Sequence, residues 1–107
     1  MTRKIEQQMI AAIRAGKPFK SGNTEVVQPA NGATEVLLHG NPIIRYVPCE
    51  GWMWSLAGWN TATTRSRINA AVRALNWDIG VYCRDGMARA TGPDQTPVDT
   101  RQWVRVF

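Results

Sequence analysis

Turn dipeptides constrain this chain more than any other feature of its sequence. Between Thr24 and Ala57 the segments TEVVQPA, ATEVLL, PIIRYVP and WMWSLA are separated by Asn31-Gly32, Gly40-Asn41 and Glu50-Gly51. The segments are rich in β-branched and aromatic residues, and each turn lies where consecutive antiparallel strands need one. Asn-Gly readily takes the positive φ angles of a type I′ turn, so the first two segments read as a hairpin. Pro29 has no N–H to donate and is confined to an edge or a strand end. The region is predicted to be a meander of four strands. In the fourth, Trp52, Trp54 and Leu56 share one face, opposite Met53, Ser55 and Ala57, and the heavier set is expected to meet a helix.

Helical periodicity flanks the meander. Thr2 is a candidate cap for a first helix running to Ala15, with Ile5, Met9, Ala12 and Ile13 on one stripe and Gly16 placed to end it before Pro18. Arg3, Lys4, Arg14, Lys17 and Lys20, against Glu6 alone, make its outer face and exit basic. A second helix spans Thr63 to Asn76, because Ile68, Ala71, Val72 and Leu75 fall within a narrow arc. Beyond it, Asp85-Gly86 separates DIGVYCR from MARAT as another hairpin, and QWVRVF reads as a final strand. At 107 residues with 44% hydrophobic composition, the chain has material for one core. The expected architecture is α+β: a single domain over residues 1–107, with an antiparallel sheet, meander plus C-terminal hairpin and strand, packed against two helices.

Several chemistries lack the residues they need. Cys49 and Cys83 stand far apart, with no paired-cysteine spacing and only His39 to join them, so no metal site and no cofactor are expected. The charged start MTRKIEQQMI and the lack of a long apolar run argue for a cytoplasmic protein with no membrane contact, in which both thiols are expected to be reduced and buried. A pairing of either cysteine with His39 would be a nucleophile and base, but His39-Gly40-Asn41-Pro42 reads first as a turn. There are no paired carboxylates at helical spacing, no P-loop and no GxSxG. Asp78, Tyr82, Arg84 and Asp85 would make an active site only if folding brought them together. No catalytic residue is assigned, and the expectation is a protein that is not an enzyme.

Charge points to the second helix. Thirteen Lys and Arg against eight Asp and Glu give +5, which favours anionic partners. From Gly51 to Trp77 there is no acid, yet Arg65 and Arg67 occupy the first turns of a helix whose dipole is positive there. Asn60, Thr61, Thr63 and Thr64 add amide and hydroxyl groups beside free backbone N–H groups, an arrangement suited to an arriving phosphate. Arg65, Asn69 and Arg73 recur every fourth residue as one polar stripe. Trp59, in Gly58-Trp59-Asn60, is placed to stack on a base or anchor a protein, although core packing competes for so large an aromatic ring. The competing reading of this helix start is structural: Thr61 or Thr63 is simply the cap, and Arg65 or Arg67 pairs with a carboxylate such as Glu35, Glu50 or Asp78.

SGNTEV at 21–26, LHGNPI at 38–43 and LAGWNTATTRSRIN at 56–69 resemble small proteins of tailed bacteriophages and prophages. The resemblance spans roughly residues 20–90. It implies action in an infected bacterial cytoplasm, where small early products bind nucleic acid or disable a host protein. Two functional readings follow. One is binding of nucleic-acid phosphate through Trp59, Asn60, Thr61, Thr63, Thr64, Arg65, Arg67, Asn69 and Arg73. The other is inhibition or modulation of a host bacterial factor through the same surface, since binding hot spots favour Trp, Tyr and Arg. Oligomeric state is not legible.

Overall fold

The computed structural model describes residues 3–29, 31–92 and 96–106. In chain order the elements are α1 (Lys4–Ala15), β1 (Phe19–Ser21), β2 (Thr24–Val27), β3 (Thr34–Leu38), β4 (Asn41–Val47), β5 (Gly51–Trp54), α2 (Ala62–Leu75), β6 (Val81–Arg84), β7 (Met87–Ala90) and β8 (Val104–Arg105). The fold is α+β. Strands β1 to β5 form an antiparallel meander, β8 adds to the free side of β5, and β6 and β7 make a separate two-stranded hairpin. Strand β1 was not anticipated. It is only three residues long and joins β2 through the turn at Gly22-Asn23.

The predicted turns form where their residues allow positive φ. Asn31 and Gly32 both take it between β2 and β3, and Asp85 and Gly86 do so between β6 and β7. Between β3 and β4 the turn is His39-Gly40, one residue earlier than expected, and Asn41 opens the next strand opposite Leu38. Pro29 lies just past the end of β2, where no ladder bond is asked of it.

One row of side chains makes the core. Val26, Val36, Ile44 and Trp54 are successive partners across four strands, and all four are fully buried. The helices cover this face. Helix α1 contributes Met9, Ile10, Ala12 and Ile13, whereas Ile5 is only half-buried; α2 contributes Ile68, Ala70 and Ala71. Trp54 satisfies its indole N–H on the carbonyl of Ile79 at 3.0 Å, and Trp52 packs against Trp77 with ring centroids 5.3 Å apart. The heavy face of β5 thus meets α2 and its exit, as its alternation implied.

The β4 strand breaks its alternation. Ile43 and Ile44 are both buried, because the register shifts between Val36 opposite Ile44 and Leu37 opposite Pro42, leaving Ile43 as an extra, bulged residue. The bulge turns Ile43 inward beside Leu56.

Several expectations about surfaces are overturned. Thr2 lies outside the described residues, and Arg3 holds the N-cap position of α1. Glu6 does not offset the basic outer face: it is 1% exposed and bonded to α2. Both cysteines are free but exposed, Cys49 in the β4–β5 turn with φ of 72° and Cys83 on the hairpin, so packing does not account for either. Among the described residues no helix is long and apolar enough to cross a membrane.

Candidate functional site

Helix α2 begins where Thr61 accepts the Thr64 N–H on its hydroxyl at 3.2 Å, and it ends at Asn76, in the left-handed conformation with φ of 55°. The Thr61 and Thr64 hydroxyls also bond each other at 2.8 Å. One of the two hydroxyl hydrogens is therefore spent within the cap, and Thr64 is buried there.

Arg67 turns inward. It is 4% exposed, donates from Nη1 to Glu6 Oε2 at 2.7 Å and from Nε to the Thr24 hydroxyl at 3.1 Å. Ser66 donates to the same Glu6 oxygen at 2.6 Å. Farther along, Arg14 donates to the carbonyl of Ala74 at 2.7 Å, so α1 and α2 lie side by side in the same direction. Burial raises the proton affinity of Glu6. The hydrogen bonds from Ser66, Arg67 and the Arg3 backbone, with the charge of Arg67, outweigh it and hold the carboxyl below its ordinary value of 4.5. An arginine near the positive end of a helix is thus stabilised by an acid from another element. The sequence places that acid, Glu6, on the outer face of the first helix and offers Glu35, Glu50 or Asp78 as the partner; the structure buries Glu6 against Arg67 instead.

The polar stripe on α2 is likewise structural in its middle. Asn69 donates to the Val81 carbonyl at 2.6 Å and accepts the Val81 N–H at 2.9 Å, fastening the first residue of β6 to the helix. Gly80 allows that approach, since a Cβ there would lie 2.7 Å from Asn69 Oδ1. Arg73 is exposed two turns beyond Arg65 and joins no part of the helix start.

Trp59 is different. It is 61% exposed and stands at the mouth of a cavity of about 430 Å³. Leu38, His39, Asn41 and Ile43 line one side, and Leu56, Ala57, Trp59, Thr61, Thr63 and Thr64 line the other. The β4 bulge supplies Ile43, and two non-glycine residues with left-handed backbone, His39 at φ 51° and Ala57 at φ 53°, shape the rim. Such conformations cost on the order of 1 to 2 kcal/mol and persist where surrounding structure enforces them. The Ala57-Gly58 turn is held by Trp59 N–H on the Leu56 carbonyl at 2.8 Å and Gly58 N–H on the Thr100 carbonyl at 2.7 Å.

Two arginines contact the residues on either side of this tryptophan. The Arg101 guanidinium rests on Gly58, where a Cβ would be only 3.3 Å from its central carbon. Arg65 donates to the Asn60 side-chain oxygen, and no carboxylate among the described residues lies within ion-pair distance of it. Asn60 in turn donates weakly to the Gly86 carbonyl at 3.5 Å, tying the loop to the β6–β7 turn. Trp59, Asn60, Thr61, Thr63, Thr64 and Arg65 are therefore gathered at one place, and Arg67, Asn69 and Arg73 are not. Sequence reading missed Leu38, His39, Asn41, Ile43 and Arg101. The first four belong to LHGNPI, whose placement beside the Trp59 loop depends on sheet register.

The fold and cavity describe a small α+β protein with an exposed aromatic residue at the mouth of a cavity, and the comparisons place it among phage proteins. Residues 2–105 match the family described as Kyanoviridae Gp96 protein, and the chain belongs to that family. No curated protein and no solved structure matches it.

Proposed function

We propose that this phage-family protein is a binding protein rather than an enzyme, and that it binds single-stranded nucleic acid with a base against Trp59. The observation that carries the reading is the exposed indole at a concave mouth, with Arg101 on the residue before it and Arg65 bonded to the residue after it. A base presents an apolar face and a polar edge. Trp59 and the Leu38, Ile43 and Leu56 walls suit the face, while Thr63, Asn41 and His39 suit the edge. Arg65 spends one donor on Asn60 and retains others for phosphate. The overall charge of +5 acts in the same sense. The proposed surface is smaller than the helix-start receptor expected from sequence, because Arg67 and Asn69 are committed elsewhere.

The test is fluorescence anisotropy of labelled single-stranded DNA and RNA across a salt series. Affinity is expected to fall with salt through counterion release. Trp59→Ala should weaken binding by roughly 1 to 3 kcal/mol while leaving the salt slope unchanged. Absence of binding to any nucleic acid at low salt rules this reading out. The aliphatic cavity walls favour a second reading, capture of an apolar side chain from a host bacterial protein, with Trp59 as the anchor.

A further inference from the structure

We infer that Arg101 and Arg65 are two phosphate seats astride Trp59, so that the site takes a nucleotide from within a single strand, with a phosphodiester before and after its base; the inference rests on the nucleic-acid reading above. The first seat depends on Gly58, which has no side chain and takes φ of 89°. The Arg101 guanidinium lies face-on against it: the central carbon and one terminal nitrogen are 3.3 Å, and the other terminal nitrogen 3.7 Å, from where a Cβ would stand. Contact through the flat face spends none of the N–H groups, which point outward in the plane. The segment carrying Arg101 is fixed to the Trp59 loop by the Thr100 carbonyl, which accepts the Gly58 N–H at 2.7 Å. The acid of this segment, Asp99, accepts the Arg101 backbone N–H at 2.8 Å, yet neither its carboxylate nor any other among the described residues lies within ion-pair distance of the guanidinium. Arg101 is exposed. The second seat is Arg65, which is half-buried, spends Nη1 on the Asn60 side-chain oxygen and keeps its Nε and Nη2 donors. Gly58 and Asn60 adjoin Trp59 in the chain, so their Cα atoms are at most about 7 Å apart. Neither arginine lines the cavity. A nucleotide divides in the same way, into an uncharged base that enters and a charged backbone that stays outside with one phosphate on each side. A free nucleoside would leave both guanidiniums without an acceptor, and a nucleotide at a strand end would leave one.

The experiment compares full-length variants in anisotropy titrations with a labelled single-stranded oligonucleotide, and then competes that oligonucleotide off the unaltered protein with adenosine 5′-monophosphate, adenosine 3′-monophosphate and adenosine 3′,5′-bisphosphate. Arg101→Ala and Arg65→Ala should each weaken oligonucleotide binding roughly fivefold and make the logarithmic salt slope shallower by about 0.7, and the double variant by about twice that. Arg101→Lys keeps the charge but not the flat contact on Gly58, and should retain the original slope; a purely structural role for Arg101 would lose affinity in Lys and Ala variants alike with the slope unmoved. The bisphosphate should compete more strongly than either monophosphate. Trp59-dependent oligonucleotide binding whose salt slope is indifferent to Arg101→Ala, or a bisphosphate with no advantage over both monophosphates, overturns the pair of seats and leaves the cavity reading standing. Failure of the unaltered protein to bind the oligonucleotide at low salt overturns both.

Discussion

Arg65 and Arg67 stand two residues apart at the start of α2 and end in opposite environments. At 100° per residue their side chains leave the helix about 200° apart, so one faces the loop and the other faces α1. Arg67 is sealed against Glu6, Ser66 and Thr24; Arg65 lies half-buried against the Asn60 amide. The lesson is that a cation at the positive end of a helix is not by itself evidence of a ligand. One of these two has its counter-charge inside the protein, and the other has no carboxylate among the described residues.

The largest expected effect tests the buried side of that contrast. Arg67→Ala leaves Glu6 as an unpaired buried carboxylate and should destabilise the fold by about 3 to 5 kcal/mol in denaturant unfolding. A loss below about 1 kcal/mol, the usual worth of an exposed pair, would mean the pair is not sealed from water. Next comes Gly80→Ala, where the new methyl meets Asn69 and should cost about 1 to 3 kcal/mol by forcing the helix and hairpin apart. If its stability were unchanged, the bracket between Asn69 and Val81 would not be holding the hairpin.

The Glu6 carboxyl supplies a pH test with a definite sign. Its folded value lies below the ordinary 4.5, so between the two values the unfolded chain binds more protons than the native one. Glu6 therefore stabilises the fold above about pH 4.5 and loses that contribution as pH falls through its folded value. Comparing acid unfolding of the unaltered protein with Glu6→Gln should show a flatter pH dependence in the variant below the ordinary value. Matching profiles would assign the acid sensitivity to other carboxylates. The smallest effect on stability belongs to the loop side: Arg65→Ala, which breaks no ion pair among the described residues, should shift it by no more than about 0.5 kcal/mol. Under the proposed function the same change weakens nucleic-acid binding and makes its salt dependence shallower. A stability loss comparable to that of Arg67→Ala would abolish the distinction between the two arginines.

Local chemistry was sufficient for much of this architecture. Asn31-Gly32 and Asp85-Gly86 accept positive φ wherever they occur, alternation in WMWSLA follows from the two-residue repeat of a strand, and the apolar arc of α2 follows from its helical period. These depend on neighbours within a few residues. The meander, the second hairpin and α2 could therefore be read before any contact was known. The Trp59 loop also stood out locally, because Gly58 and Asn60 mark it as a turn.

Contacts over long sequence separations decided the rest. Glu6 finds Arg67 across 61 residues and Asn69 finds Val81 across 12, and no periodicity within either segment encodes which partner will arrive. The cavity has the same origin: a bulge at Ile43 and a turn at His39-Gly40 set the register that brings LHGNPI against the Trp59 loop. A hydrogen bond or an ion pair needs its two groups within about 3 Å, and in a folded chain that proximity comes from the packing of whole elements rather than from the residue types at either end.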